Sequence, residues 1–520
     1  MATLNGSKPP AKERPSINEP QQLFIGGSSS NSSDGSTFPV INPMTGDNLY
    51  DCASASIEDC SRAIESASAA FESWSRSSPS SRRLIFLKAA DIIEQYIHQD
   101  ALTILSSEVS ATKGWTRVNI LGTAGTFREI ASMATHIKGE IIPSDRPGTT
   151  ILVEREPMGV VFAMSPWNAP VNLTARAICM PLICGNTVVL KPSEFSPKSQ
   201  NLVVRALQEA GLPAGCLNYL PVSPERTPAV TEYIVKHPAV RHVNFTGSDR
   251  VGKIIAGLAA SCIKPCVLEL GGKAPLIILE DANIDDAVEA VAFGALANAG
   301  QICMSTERVI VHADVADAFK AALLARFRAI KVGDHTQDDA VSISGMFTSV
   351  HSQRVKSMLE AACSAGARLL MGDISLTGPR GTIMGPHVLE GVTPDMEIFQ
   401  RESFGPLVCL TEFRDGDDEA VRLANDSEYS LSGAVFSRDV MRALAVARRM
   451  RTGACHVNGA TIFFEPTVPN GGTGAAPGTA ASGDRGGGGV YAAQDHHVDA
   501  ERDEVSFLRR LETQLGWVLI

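Results

Sequence analysis

Between residues 159 and 280 short apolar runs alternate with amphipathic stretches, and this alternation limits the fold more than any other feature of the chain. The runs are VVFAM, TVVLKP, VRHVNFTG, CVLEL and PLIILE, separated by stretches such as PKSQNLVVRALQEAGLP. Runs without polar alternation have no wet face, so they read as strands covered on both sides. Strand alternating with helix implies right-handed crossovers and a parallel, doubly wound α/β sheet. Such sheets bind ligands at the carboxyl ends of their strands, so SPWN, KPSE, FTGS and ELGG, each following or ending a run, are expected to share one cleft. A second series, DDAVEAVAFGALANAG, RVIVHA, LVCLTEF, SGAVFS and CHVNGA, extends from 284 to 458 and reads as a second α/β domain.

Upstream, Ser56 and Asp59 form a capping-box start to an amphipathic helix, and SSRRLIFLKAADIIEQYI continues the helical spacing. Residues 1–36 read as a flexible N-terminal tail ending in the loop SSSNSSDGS, with LFIGG and FPVINP as candidate arms of a hairpin. A net charge of −11 argues against a nucleic-acid or anionic-membrane partner, since both need clustered Lys and Arg. No leader-like segment and no run of 18 apolar residues is present, so the expected location is cytoplasmic. The 11 cysteines lack paired CxxC spacing, so no metal site is expected and most should be reduced core residues.

Three residues stand out against that background. Cys303 in GQICMST follows a glycine-containing stretch where backbone can approach a substrate; a thiolate there needs a lowered pKa or a nearby base. Glu269 in ELGGK and Asn168 in SPWNAP each follow a strand-like run. Together they supply a sulfur nucleophile, a carboxylate base for water and an amide donor for an oxyanion. Singly, each has a plainer reading: a buried thiol, a solvated loop carboxylate, a turn asparagine.

The order INPMTG, SPWNAP, KPSE, FTGS, LELGGK, GQIC, ESFGP, VNG, spread over residues 37–468, resembles the aldehyde dehydrogenase superfamily. The resemblance implies two doubly wound α/β domains plus a small β extension for oligomerisation. Its boundaries here are a cofactor-binding domain at 37–145 and 158–280, an oligomerisation hairpin at 146–157 carrying TTILVERE, a catalytic domain at 281–468, and a divergent Gly/Ala-rich segment with an oligomerisation tail at 469–520. It implies a homodimer or homotetramer acting on a small-molecule aldehyde. In this reading the Cys303 thiolate attacks the aldehyde, Asn168 and the Cys303 N–H hold the oxyanion, and Glu269 deprotonates the water that hydrolyses the thioester. No GxGxxG turn marks a dinucleotide site. The resemblance instead assigns the cofactor to Ser165, Trp167, Lys191, Glu194, Gly247, Ser248, Gly252, Leu270, Glu402 and Phe404. A carboxylate at Glu194 suits the two ribose hydroxyls and repels a 2′-phosphate, which favours NAD; Lys191 beside it softens that repulsion and leaves NADP open.

The segment ATKGWTRVNI, with Trp115 and Asn119, resembles the salicylaldehyde and vanillin dehydrogenase branch and points to an aromatic, hydroxylated aldehyde, met by ring stacking and an amide hydrogen bond. Plain helix packing is the other reading of Trp115. Aromatic catabolism and secondary-metabolite biosynthesis both supply such aldehydes, and the residues do not choose between them. After VNG the chain departs from the family. Pro469, Gly471 and Gly472 match its cleft-closing run, but Asn470 replaces an aromatic and the expected lysine is missing from GGTGAAPGTAASGDRGGGG. A divergent loop and a shifted reading frame both account for this. Two rivals follow: a CoA-acylating relative, which Glu269 opposes because it activates water, and a catalytically silent member with a structural or binding role.

Overall fold

The computed structural model describes residues 18–468, 470–472 and 478–480. Its first sheet has seven strands in the order Cys266–Glu269, Val240–Thr246, Val160–Met164, Thr187–Lys191, Leu217–Tyr219, Leu23–Ile25, Ser28–Ser30. The first five are parallel. Val160–Met164 and Thr187–Lys191 are buried along their whole length because helices cover both faces. On one side Pro170–Ile183 and Pro197–Ala210 press Ile178, Leu182, Val203 and Leu207 against Val161, Val188 and Leu190. From Val160–Met164 the chain steps outward to Leu217–Tyr219, then returns to the opposite flank at Val240–Thr246. That reversal opens a crevice beyond Met164 and Thr246, where doubly wound sheets take their ligands.

The second sheet runs Arg368–Met371, His387–Glu390, Leu407–Phe413, Thr306–His312, Ala274–Ile278, Ser432–Phe436, Ala454–Val457. Ala274–Ile278 lies between Thr306–His312 and Ser432–Phe436. This corrects the domain boundary drawn at 280: PLIILE belongs to the second sheet, and the chain crosses over at Leu270–Lys273. Its composition matches the strands before it, so only pairing partners separate them.

Two further expectations change. Residues 21–36 are not a flexible tail, because Leu23 is fully buried and its strand pairs with both Ser28–Ser30 and the strand ending at Tyr219. LFIGG and FPVINP do not pair with each other; Thr37–Ile41 pairs with Asn48–Ala53 instead. SSSNSSDGS is partly strand, and its turn is fixed by Asp59, which accepts from the Ser33 N–H and the Ser32 hydroxyl while closing the capping box with Ser56. The hairpin placed at 146–157 is formed by Glu140–Pro143 and Thr150–Val153. Every residue of both strands is exposed, including Ile141 at 77% and Leu152 at 67%. Of the divergent segment, Asn470–Gly472 and Gly478–Ala480 form a short antiparallel pair; the rest of 469–520, like 1–17, lies outside the described residues. No helix among the described residues is long and apolar enough to cross a membrane.

Candidate active site

Cys303 is delivered by a sharp reversal after the helix Ile284–Leu296. Asn298, Ala299 and Gly300 follow one another with φ of 50°, 56° and 73°, left-handed backbone that tightens the loop ahead of Gln301–Cys303. Gly300 has no alternative, since a Cβ there would collide with the Gly405 carbonyl. The loop is tied to SPWN by two bonds: the Asn168 amide donates to the Gln301 carbonyl at 3.1 Å, and the Asn298 amide donates to the Asn168 carbonyl at 3.1 Å, which also accepts from the Trp115 indole N–H at 2.9 Å. Asn168 is buried, and the second hydrogen of its amide remains beyond the Gln301 bond. From the other side the ELGGK turn passes directly against the nucleophile loop, because a Cβ on Gly272 would strike the Cys303 carbonyl oxygen. Glu269 ends its parallel strand two residues before Gly271, and its carbonyl accepts from the Gly247 N–H of FTGS at 3.0 Å. Three segments far apart in sequence therefore meet at Cys303.

Burial pushes the Cys303 thiol up to about 12, with Glu402 and then Glu269 reinforcing the shift and Arg176 opposing it. Of the two routes open to a thiol nucleophile, a lowered pKa or a nearby base, the first is absent and carboxylates stand in electrostatic range.

On the cofactor side, Lys191 ends its strand nearly buried, with Nζ 3.8 Å from the Glu194 carboxylate and 3.0 Å from the Pro192 carbonyl that accepts from it. Burial lowers the Lys191 ammonium and Glu194 partly restores it. Ser248 caps the helix Asp249–Ser261, accepting from the Val251 N–H, and the helix follows directly on the strand Val240–Thr246. Trp167 stacks on Phe347 at 3.8 Å and meets the edge of Phe404 at 5.8 Å. A crevice at the sheet's reversal, a helix N-terminus, a Lys–Glu pair and an aromatic end fit the phosphates, ribose and flat ring of a dinucleotide. Ser165, Gly252 and Leu270 also pack within the protein. The Ser165 hydroxyl faces inward to Thr174 and Gln200, at 2.9 and 2.5 Å. Gly252 lets the helix lie against Leu270, whose side chain a Cβ would strike, so these two shape the floor.

Glu402 reaches further than a ribose contact requires. It accepts from the Gly272 N–H at 3.0 Å, and burial with neighbouring Glu307 pushes its carboxyl up to about 8.

The substrate pair also changes. The Trp115 indole N–H is committed to the Asn168 carbonyl, which makes Trp115 a brace for the SPWN segment. Asn119 is 1% exposed and spends its donor on the Trp115 carbonyl, leaving Oδ1 buried without a partner. The amide therefore retains an acceptor. Sequence reasoning missed Arg176 and Phe347. Arg176 lies one turn after Asn172 in Pro170–Ile183, with its guanidinium over the Phe464 ring at 4.6 Å and Nη2 buried and unpartnered. It borders a cavity of about 220 Å³ shared with Met180, His242 and Phe464. The signal was available: TARAICMPL places one charge in an otherwise apolar helix, where arginine is rarely buried without purpose. Phe347 had no such signal, since it lies in a loop with no periodicity.

Residues 30–488 match the aldehyde dehydrogenase family. The chain is 46% identical over 451 residues to vanillin dehydrogenase of a Pseudomonas species, covering 86% of this chain and 92% of that one. It superposes with a TM-score of 0.86 on the crystal structure of salicylaldehyde dehydrogenase from Pseudomonas putida complexed with salicylaldehyde, at 40% identity and covering 88% and 94% of the two chains. PnpE in complex with nicotinamide adenine dinucleotide gives 0.83 at 31% identity, covering 88% and 93%. With SPWN, ELGGK and GQIC meeting beside a dinucleotide crevice, the chain belongs to the aldehyde dehydrogenase family as an NAD-dependent aldehyde oxidoreductase.

Proposed function

We propose that this enzyme oxidises aromatic aldehydes carrying a ring hydroxyl to the corresponding carboxylic acids, the aldehyde carbon bonding to Cys303. The observation that carries this reading is Arg176: a buried guanidinium with a free donor, in electrostatic range of Cys303 and Glu269, at the edge of a cavity that Phe464 also lines. A hydroxyl or phenolate oxygen gives that donor an acceptor, and Phe464 gives the ring an apolar wall. Glu269 in turn takes a proton from Cys303 or from water, and Asn168 with the Cys303 N–H holds the oxyanion. Bound NAD supplies the hydride acceptor. Ribose contact falls to Glu194 and Lys191, phosphate contact to Gly247 and Ser248, and nicotinamide contact to Trp167, Glu402 and Phe404. The first α/β unit then serves as the cofactor domain and the second as the catalytic one, in the cytoplasm.

The test is a screen of NAD reduction with salicylaldehyde, vanillin, benzaldehyde and hexanal on the wild type and Arg176→Met. Removing a charged donor from a buried site costs roughly 10- to 100-fold in kcat/KM for the hydroxylated rings, with benzaldehyde changed by less than about threefold. Hexanal outpacing all three aromatics, or an equal loss on benzaldehyde, would sink the reading.

The exposed ribbon Glu140–Val153 supports a second proposal, that the enzyme is a homodimer or homotetramer joined through it. An isolated two-stranded hairpin showing isoleucine and leucine to water is not stable alone. Light scattering is expected to give a multiple of the monomer mass for the wild type and a smaller assembly for Ile141→Lys/Leu152→Lys. A monomeric wild type would refute it.

A further inference from the structure

The segment Glu402–Ser403–Phe404 lies in no strand or helix, yet its main chain is bound on both sides by side chains. The helix Ser349–Ser364 supplies one jaw. Its Arg354 donates to the carbonyls of Glu402 at 2.8 Å and Ser403 at 3.2 Å, and His351 Nε2 lies 2.9 Å from the carbonyl of Phe404. Glu307 supplies the other: its carboxylate accepts from the Ser403 N–H at 2.9 Å and the Phe404 N–H at 3.3 Å, and is itself paired with fully buried Lys273. Three consecutive carbonyls and two amides are therefore satisfied by three side chains, which replace the ladder that a strand would provide.

What the clamp holds is unfavourable on its own. Phe404 has φ of 55°, a left-handed conformation that a bulky residue avoids and that persists only where its surroundings impose it. In that conformation the Phe404 ring meets Trp167, and the His351 ring lies 5.1 Å from Phe347, the residue stacked on Trp167. A carbonyl only accepts, so the Nε2 of His351 carries the hydrogen. Burial holds the ring's pKa down at about 4, which keeps it neutral with that one donor fixed.

We propose that His351 and Arg354 are positioning residues for the cofactor: with Glu307 on the opposite side they lock the main chain of Glu402–Phe404, and so set where the nicotinamide end of NAD rests beside Trp167 and Cys303. The inference rests on the reading of Glu402 and Phe404 as cofactor contacts. His351 touches neither the reacting carbon nor the thiol, and acts through Phe404.

The experiment compares the wild type with His351→Phe, which keeps the ring packing and loses the donor, and His351→Gln, which restores an amide N–H. The NAD dissociation constant is measured by titration calorimetry without substrate, and cofactor-free hydrolysis of p-nitrophenyl acetate reports on the Cys303 side alone. The Phe variant should bind NAD about tenfold more weakly, the scale of one lost hydrogen bond, and the Gln variant within about threefold of wild type. Ester hydrolysis should stay within about twofold in both. Unchanged NAD affinity in the Phe variant overturns the proposal, as does a parallel loss of ester hydrolysis that Gln fails to restore. Phe404→Ala separates the layers: if it too leaves NAD affinity unchanged, the contact reading has failed, whereas a shift there with none at His351→Phe defeats only the clamp.

Discussion

Replacing Cys303 with alanine is expected to lower aldehyde-dependent NADH formation by about 10⁴-fold or more, the scale seen when a covalent nucleophile is removed. No other thiol can substitute. Cys179, Cys409 and Cys455 are buried, with burial pushing each thiol up, and the loop of Asn298–Gly300 brings only Cys303 between SPWN and ELGGK. The same environment sets how its reactivity varies with pH. A thiol held near 12 is almost wholly protonated at neutrality, so in cofactor-free enzyme its alkylation by iodoacetamide should rise about tenfold per pH unit through pH 10 without a plateau. Peptide mass spectrometry at Cys303 reads this. A plateau below pH 8 would mean an activated resting thiolate, and more than about 1% residual activity in the alanine variant would remove Cys303 from the mechanism.

Much of this site was legible because its chemistry sits in short segments at strand ends, and strand ends are marked by hydrophobic pattern. SPWN, FTGS and ELGG are brought to one crevice by the parallel sheet, as local alternation implies. What pattern cannot supply is which sheet a strand joins. The strand Ala274–Ile278 is fully buried like Val160–Met164, and only its pairing with Thr306–His312 and Ser432–Phe436 places it in the second sheet. Nor does pattern show where a side chain spends its hydrogen bonds. The resemblance assigns Trp115 and Ser165 to ligands but says nothing of the bonds that hold them, from the Trp115 indole N–H to the Asn168 carbonyl and from Gln200 to the Ser165 hydroxyl. Leu23–Ser30 failed for the opposite reason: a serine-rich stretch looks solvated, yet Leu23 and Ile25 anchor it to the sheet edge.

Glu269→Gln is the variant that separates the two halves of the reaction. Steady-state turnover should fall by roughly 10²–10⁴-fold, the usual value of a general base, while the first turnover still yields a burst approaching one NADH per active site. Glutamine keeps the shape of the side chain and the main-chain bond from Gly247 to the residue's carbonyl, so the crevice is undisturbed. It removes one carboxylate that raises the Cys303 thiol, which eases rather than hinders thiolate formation. What it cannot do is accept a proton from water. The acyl group should therefore remain on Cys303, detectable as a mass increment, and hydroxylamine, which attacks a thioester without a base, should restore turnover. Absence of the burst would place Glu269 before thioester formation, as the base for the thiol itself. A burst that hydroxylamine fails to relieve would point to slow release of the reduced cofactor rather than to Glu269.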